Sequence, residues 1–412
     1  MVDQPHFGKR LRELRRERGL SQAQLAKGAI SPGYLSRLES GSRAPTPKVI
    51  AYLAERLSVP ASAFDAPLAA SPAPVEDLVK AITAESGTGR VGTLLNRVVD
   101  QPAGLSLPLR WLALWWRAGT LRDDGSNEVS PQALLAAGRE LLRTADETGI
   151  PELQARSLVS VSRLHRSLGD MKVAYDVAAE AYIVATKHDL PSADAVSALM
   201  VLISVEAESS RLPDALKHVV ELELFSEGVP RTMRAEALWT AAGVHVRHGN
   251  HQAAEARLVE AIGLNSIRDD LTLWIRLRLA AASLYLQMHP CRLAEARRSL
   301  AEVEPALVLV GSSRQHLEFR IIRAHAHFQA GELDAARALC QEIGSETERL
   351  GFRDRVRLEV LVHLIEIRLG HVDAGVRAVE TLAREAHEAA NLGLAAEIWK
   401  NLAETLASGR LS

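Results

Sequence analysis

The sequence predicts an all-α fold, a small N-terminal helical bundle followed by an α-solenoid of paired helices. Hydrophobic residues make up 47% of the chain but aromatics only 4%, so the apolar material is rich in helix formers and poor in the residues that fill sheets. Apolar positions recur at helical spacing near the N terminus. Farther along, a turn signal followed five residues later by a small residue recurs with a period of about 40 residues.

With 412 residues the chain is long enough for two or three domains and an ample core. Its start, Met1-Val-Asp-Gln-Pro-His-Phe-Gly-Lys-Arg, lacks the apolar centre of a signal peptide, and no stretch of about 18 apolar residues follows. A cytoplasmic protein without membrane contact is expected. The two cysteines, Cys291 and Cys340, show no metal-ligand spacing and read as buried free thiols. Net charge is -2, but residues 6–64 hold eleven Lys/Arg against four Asp/Glu. A basic head is thus joined to an acidic body, the pattern of a small module that meets phosphate.

The elements of that head follow in order. Phe7, Leu11 and Leu14 share one face of a basic first helix that stops at Gly19. Ser21 caps a second helix, with Gln24 completing a capping box and Leu25 and Ala26 facing inward. After the turn at Gly28 to Ile30, Ser31-Pro32 supplies an N-cap followed by proline at the first helical position. The third helix buries Leu35 and Leu38, leaving Gly33, Tyr34, Ser36 and Arg37 outward, and Gly41 closes it. Thr46-Pro47 opens a fourth helix that buries Val49, Ile50, Leu53 and Leu57.

Leu20-Ser21-Gln22-x-x-Leu25-Ala26, Ile30-Ser31, Tyr34-Leu35-Ser36-Arg37-Leu38-Glu39-Ser40-Gly41 and Pro45-Thr46-Pro47 closely resemble the XRE/Cro-type helix-turn-helix over about the first 65 residues. The turn Lys27-Gly28-Ala29-Ile30-Ser31 is shorter than in many members and resembles the subgroup with TPR-type bodies, including peptide-pheromone regulators of the Rgg and PlcR type. The resemblance implies that the third helix enters the major groove of double-stranded DNA and the second crosses the backbone. Ser31, Pro32, Gly33, Tyr34, Ser36 and Arg37 then form the face toward DNA, with Arg37 suited to guanine. Gln22 and Arg43 would hold phosphate. The same resemblance makes Arg15 and Glu39 a structural ion pair. A bundle serving only dimerisation is the alternative, but it would need no capped polar ridge beside a basic surface.

The proline-spaced stretch after Asp65 divides the chain into a DNA-binding domain 1–65, a linker 66–77, an irregular helical segment 78–129 and a TPR-like sensor and dimerisation domain 130–412. In the last, Gly169, Gly249, Gly331 and Gly370 are each followed five residues later by Ala174, Ala254, Ala336 and Gly375. Ser210 with Ala215 and His289 with Ala294 are degenerate copies. A small residue there lets the paired helices cross closely. Trp111, Trp115 and Trp116 in the preceding segment are expected in the core.

Alignment on the turn glycines places Arg163, Trp239, Arg276 and His325 toward the concave side, where arginine could clamp a carboxylate and tryptophan could pack an apolar group. Enzyme signals fail. His387-Glu388-Ala389-Ala390-Asn391 lacks the second histidine of a zinc protease motif, His245, His248 and His251 have no ligand set beside them, and no Walker loop or GxSxG elbow occurs. No catalysis, metal or cofactor is expected. The sequence therefore reads as a homodimeric, ligand-responsive regulator, its ligand a short peptide or a small molecule. The alternative is a DNA-tethered scaffold that docks a partner protein.

Overall fold

The computed structural model describes residues 6–18, 20–28, 30–64, 98–99, 105–123 and 130–409. The expected cap at Gly19, Ala29 of the turn, the linker 66–77 and most of the segment 78–129 lie outside them. The described residues contain no strand and fall into two compact units, one holding residues 6–64 and one holding 107–409.

The smaller unit is α1 (His6–Glu17), α2 (Gln22–Ala26), α3 (Pro32–Glu39), α4 (Pro47–Leu57) and a closing 3-10 turn (Ala61–Phe64). The starts of α2, α3 and α4 are chemically marked. Ser21 and Gln24 form the reciprocal capping box, while Ser31 and Thr46 cap helices that begin with Pro32 and Pro47. Phe7, Leu11, Leu14, Leu25, Leu35, Leu38, Leu53, Leu57 and Phe64 are buried together, each contributing roughly 1.5–3 kcal/mol by leaving water. Val49 and Ile50 are only half-buried at the edge of this core. Gly8 admits the close crossing of α1 and α3, because a Cβ there would lie 2.2 Å from the Leu38 carbonyl oxygen.

The larger unit is a TPR-like stack of antiparallel helices. It comprises α5 (Leu107–Asp123), α6 (Pro131–Thr148), α7 (Pro151–Leu168), α8 (Met171–Lys187), α9 (Ser192–Glu208), α10 (Leu212–Phe225), α11 (Arg231–Arg247) and α12 (His251–Leu264). It continues with α13 (Leu271–Gln287), α14 (Leu293–Val310), α15 (Ser313–Gln329), α16 (Leu333–Ile343), α17 (Phe352–Arg368), α18 (Val372–Glu388) and α19 (Leu392–Gly409). Buried apolar clusters follow one another along the stack, as expected where each pair buries its face only against its neighbours. Trp111 is core and donates its indole N–H to Ser157 at 2.8 Å, whereas Trp116 is 39% exposed. Cys340 is buried, but Cys291 is only half-buried.

One turn geometry recurs. Gly169, Ser210, Gly249, Gly331 and Gly370 all adopt left-handed φ. The next N–H in each returns to a carbonyl five residues back, for example Asp170 to His165 and Glu332 to His327. The buried small residues Ala174, Ala215, Ala254, Ala336 and Gly375 follow. The His289 copy departs from this pattern. Its closing bond runs from Arg292 to the Tyr285 carbonyl, two residues longer, so Ala296 is the buried small residue and Ala294 is exposed. A further copy that sequence reading missed lies at Ala390, with φ 57 and buried Ala395 after it.

The stack also returns on itself. The ends of α7 and α9 meet the beginnings of α17 and α19. Glycines mark this seam: a Cβ on Gly351 would lie 3.2 Å from the Ser167 carbonyl oxygen, and one on Gly393 would lie 3.0 Å from the carbonyl oxygens of Ala207 and Glu208.

Candidate nucleic-acid interface

In the smaller unit most of the described arginines are engaged within the protein. Glu39, 3% exposed, accepts from Arg15 Nε at 2.6 Å and Nη2 at 3.0 Å and from Gln22 Nε2 at 2.8 Å, with Arg12 Nε 3.6 Å away. Burial alone would raise the Glu39 carboxyl, but the Arg15 and Gln22 hydrogen bonds outweigh it and hold the pKa below the ordinary range. Arg15 also donates to the Leu20 carbonyl at 2.7 Å, Arg56 to that of Gln24 at 2.9 Å, and Arg18 to that of Leu57. These groups tie α1, α3 and α4 to the turns between them.

The face of α3 is different. Ser31 is exposed and accepts the Tyr34 N–H at 3.1 Å, fixing the first turn. Pro32, Gly33, Ser36 and Arg37 are exposed, and among the described residues no acceptor meets the Arg37 guanidinium. A Cβ at Gly33 would meet nothing within 4 Å, so neither packing nor φ demands glycine there. Tyr34 is half-buried against the core, and Arg43 lies over its ring at 4.7 Å. Gln22 is half-buried and committed through one amide N–H to Glu39. Lys48, exposed in the first turn of α4, is a cation that sequence reading did not select.

Residues 6–66 match the family described as a helix-turn-helix domain. The chain carries a helix-turn-helix domain. Among curated proteins none matches the chain. Of solved structures, a Rap protein complexed with Competence and Sporulation Factor is similar over 97% of this chain and 99% of its own, at 13% identity and a TM-score of 0.57. That likeness concerns the fold. PlcR of Bacillus thuringiensis, in complex with the peptide PapR7 and DNA, aligns over 77% of this chain and 98% of its own at 14% identity and a TM-score of 0.36. ComR of Streptococcus vestibularis aligns over 68% and 98% at 15% identity and a TM-score of 0.36.

Beyond the helix-turn-helix domain, the four expected interior residues fall in different places. Arg276 of α13 lies over the ring of half-buried Trp239 of α11 at 5.7 Å and pairs with Glu236 at 2.9 Å, so these two do meet. Arg163 is an exposed residue of α7. His325 of α15 is half-buried beside Arg357 and Glu397. Burial and then Arg357 pull its pKa down to about 4, which leaves the ring neutral.

Sequence reading missed the charged group around His325. Glu208, 4% exposed at the end of α9, accepts from Arg353 Nη1 at 2.7 Å, with Arg247 Nη2 at 3.9 Å and Arg166 Nε at 4.0 Å. Glu397 of α19 accepts from Arg357 Nη2 at 2.6 Å, and Arg353 Nη2 is 3.7 Å away. No local pattern announces this group, because its members come from α7, α9, α11, α17 and α19.

No helix among the described residues is long and apolar enough to cross a membrane, and no three His, Cys, Asp or Glu are placed there to hold a metal.

Proposed function

We propose that the protein is a sequence-specific, DNA-binding transcription regulator whose TPR-like unit senses a ligand. The observation that supports this best is the division of labour among the cations. Arg15, Arg18 and Arg56 are spent on the fold, while Arg37 is exposed on a capped helix and meets no acceptor among the described residues. Bare backbone at Gly33 gives phosphate or sugar access to the first turn of α3, where N–H groups and the helix dipole favour an anion. Arg37 then reads a base edge, with Ser31, Pro32, Tyr34 and Ser36 beside it, and Gln22, Arg43 and Lys48 hold the flanking phosphates.

The chain acts as a homodimer on an inverted-repeat operator, and a ligand in the repeat unit alters the affinity. That ligand is a short peptide, on the sequence resemblance to peptide-responsive regulators. It changes operator affinity by its coupling energy, typically about 1–3 kcal/mol. The protein is not an enzyme in this reading and works in the cytoplasm.

The test is selection of bound genomic fragments by the purified protein, repeated with the Pro32 to Arg37 face replaced by alanines. A two-fold symmetric motif that the variant loses supports the reading. Recovery of nothing sequence-specific removes it in favour of the scaffold.

A further inference from the structure

The larger unit closes through charge as well as through glycine contacts. Four guanidinium groups, those of Arg166, Arg247, Arg353 and Arg357, converge on the carboxylates of Glu208 and Glu397. Asp354, next along α17, is a further negative neighbour of Arg353, and the neutral His325 faces the same group. Gln287 of α13 accepts from the Arg357 Nη2 that also serves Glu397, at 2.9 Å. The internal partners do not satisfy these donors. The Nε groups of Arg353 and Arg357 are shielded from solvent and, among the described residues, have no acceptor. Arg247 donates to the Gly243 carbonyl at 3.1 Å and stands 3.9 Å from Glu208, with Glu397 a further negative neighbour. Burial first, and then the charge of Arg353, pull the Arg247 guanidinium down to about 9. Half-buried cations that outnumber their close carboxylates have a standing electrostatic demand for another anion.

We propose that this seam is the seat for an anionic group of the ligand, a carboxylate or a phosphate, held between Arg166, Arg247 and Arg353. The arginines come from α7 near the start of the stack, α11 in its middle and α17 near its end, so an anion bound there also holds together helices far apart along the stack. The inference rests on reading the larger unit as the sensor, but its test uses no DNA and so fails separately from that reading.

The experiment is thermal unfolding of the full chain with inorganic phosphate, with citrate, and with a random heptapeptide pool carrying free or amidated C termini, each against chloride at matched ionic strength. The expected result is a saturable rise of several degrees in the unfolding midpoint. The rise is absent in Arg247→Gln and retained in part by Arg247→Lys. A response to phosphate or citrate assigns the seat to a free anion. A response only to the pool with free C termini assigns it to a peptide carboxylate. No rise above chloride from any probe overturns the proposal, as does an equal rise in Arg247→Gln. Circular dichroism first establishes that each variant is folded, and Arg166→Gln provides a second test should Arg247→Gln not fold.

Discussion

Gly169, at the end of α7, lies against the ring of Phe352 at the start of α17, so close that a Cβ on the glycine would sit 2.7 Å from the Phe352 Cγ. Gly249 has the same backbone conformation, φ 80 against φ 85, but faces open space. The pair separates the two reasons for glycine. Gly249→Ala should destabilise by about 1 kcal/mol through the left-handed φ alone. Gly169→Ala should lose roughly 2–4 kcal/mol, because it also pushes the two ends of the stack apart. Equal losses in urea unfolding would mean that the seam is not under packing constraint.

The buried Arg15–Glu39 pair makes a prediction for the helix-turn-helix domain. Arg15→Met leaves the Glu39 carboxylate buried without its main partner and should destabilise that domain by about 3–5 kcal/mol, whereas Arg15→Met with Glu39→Leu should be milder. Hydrogen exchange across residues 6–64 is the readout, with roughly a hundredfold or greater loss of protection expected in the single variant.

Acid should act on the same pair. The folded-state pKa of Glu39 is depressed below its ordinary 4.5, so its contribution is present above that value and disappears as pH falls through the lower folded value. Protection of α1 and α3 should therefore decline below pH 4.5 in the wild type. In the double variant, which has no Glu39 carboxyl, that component of the decline should be missing. An unchanged acid profile would show that Glu39 does not govern it.

Arg37→Ala should weaken binding to the selected operator by about 1–3 kcal/mol while leaving non-specific binding nearly intact. The exchange protection of residues 6–64 should not change, because among the described residues the guanidinium supports nothing. An equal loss on all sequences would instead make Arg37 a phosphate contact.

Cys340 is buried in the core of the last repeats, and burial pushes its thiol pKa up to about 11. At pH 8 a thiol reagent should therefore reach it only when those helices open, while half-buried Cys291 reacts sooner. Equal labelling rates by mass spectrometry would contradict the packing of α16.

The sequence by itself determined what depends on neighbours along the chain. Caps at Ser21, Ser31 and Thr46, the inward leucines of α3 and the five turns from Gly169 to Gly370 that hold the common geometry were all legible, because each is set within a few residues by hydrogen bonding and φ. So was the division between inner and outer faces of α3, and with it the candidate DNA surface. Local signals failed where the local rule bends. Ala390 takes a left-handed φ without a glycine to announce it, and the turn after Gln287 carries two more residues than its siblings, which moved the small position from Ala294 to Ala296. Tertiary structure alone decided the rest. Tyr34 belongs partly to the core, Trp239 stands under Arg276, and His325 sits among arginines and carboxylates drawn from helices far apart in sequence. Those relations depend on how many pairs stack before the chain returns to its beginning. That number is set by small rotations accumulated over every repeat, and no single segment of sequence encodes their sum.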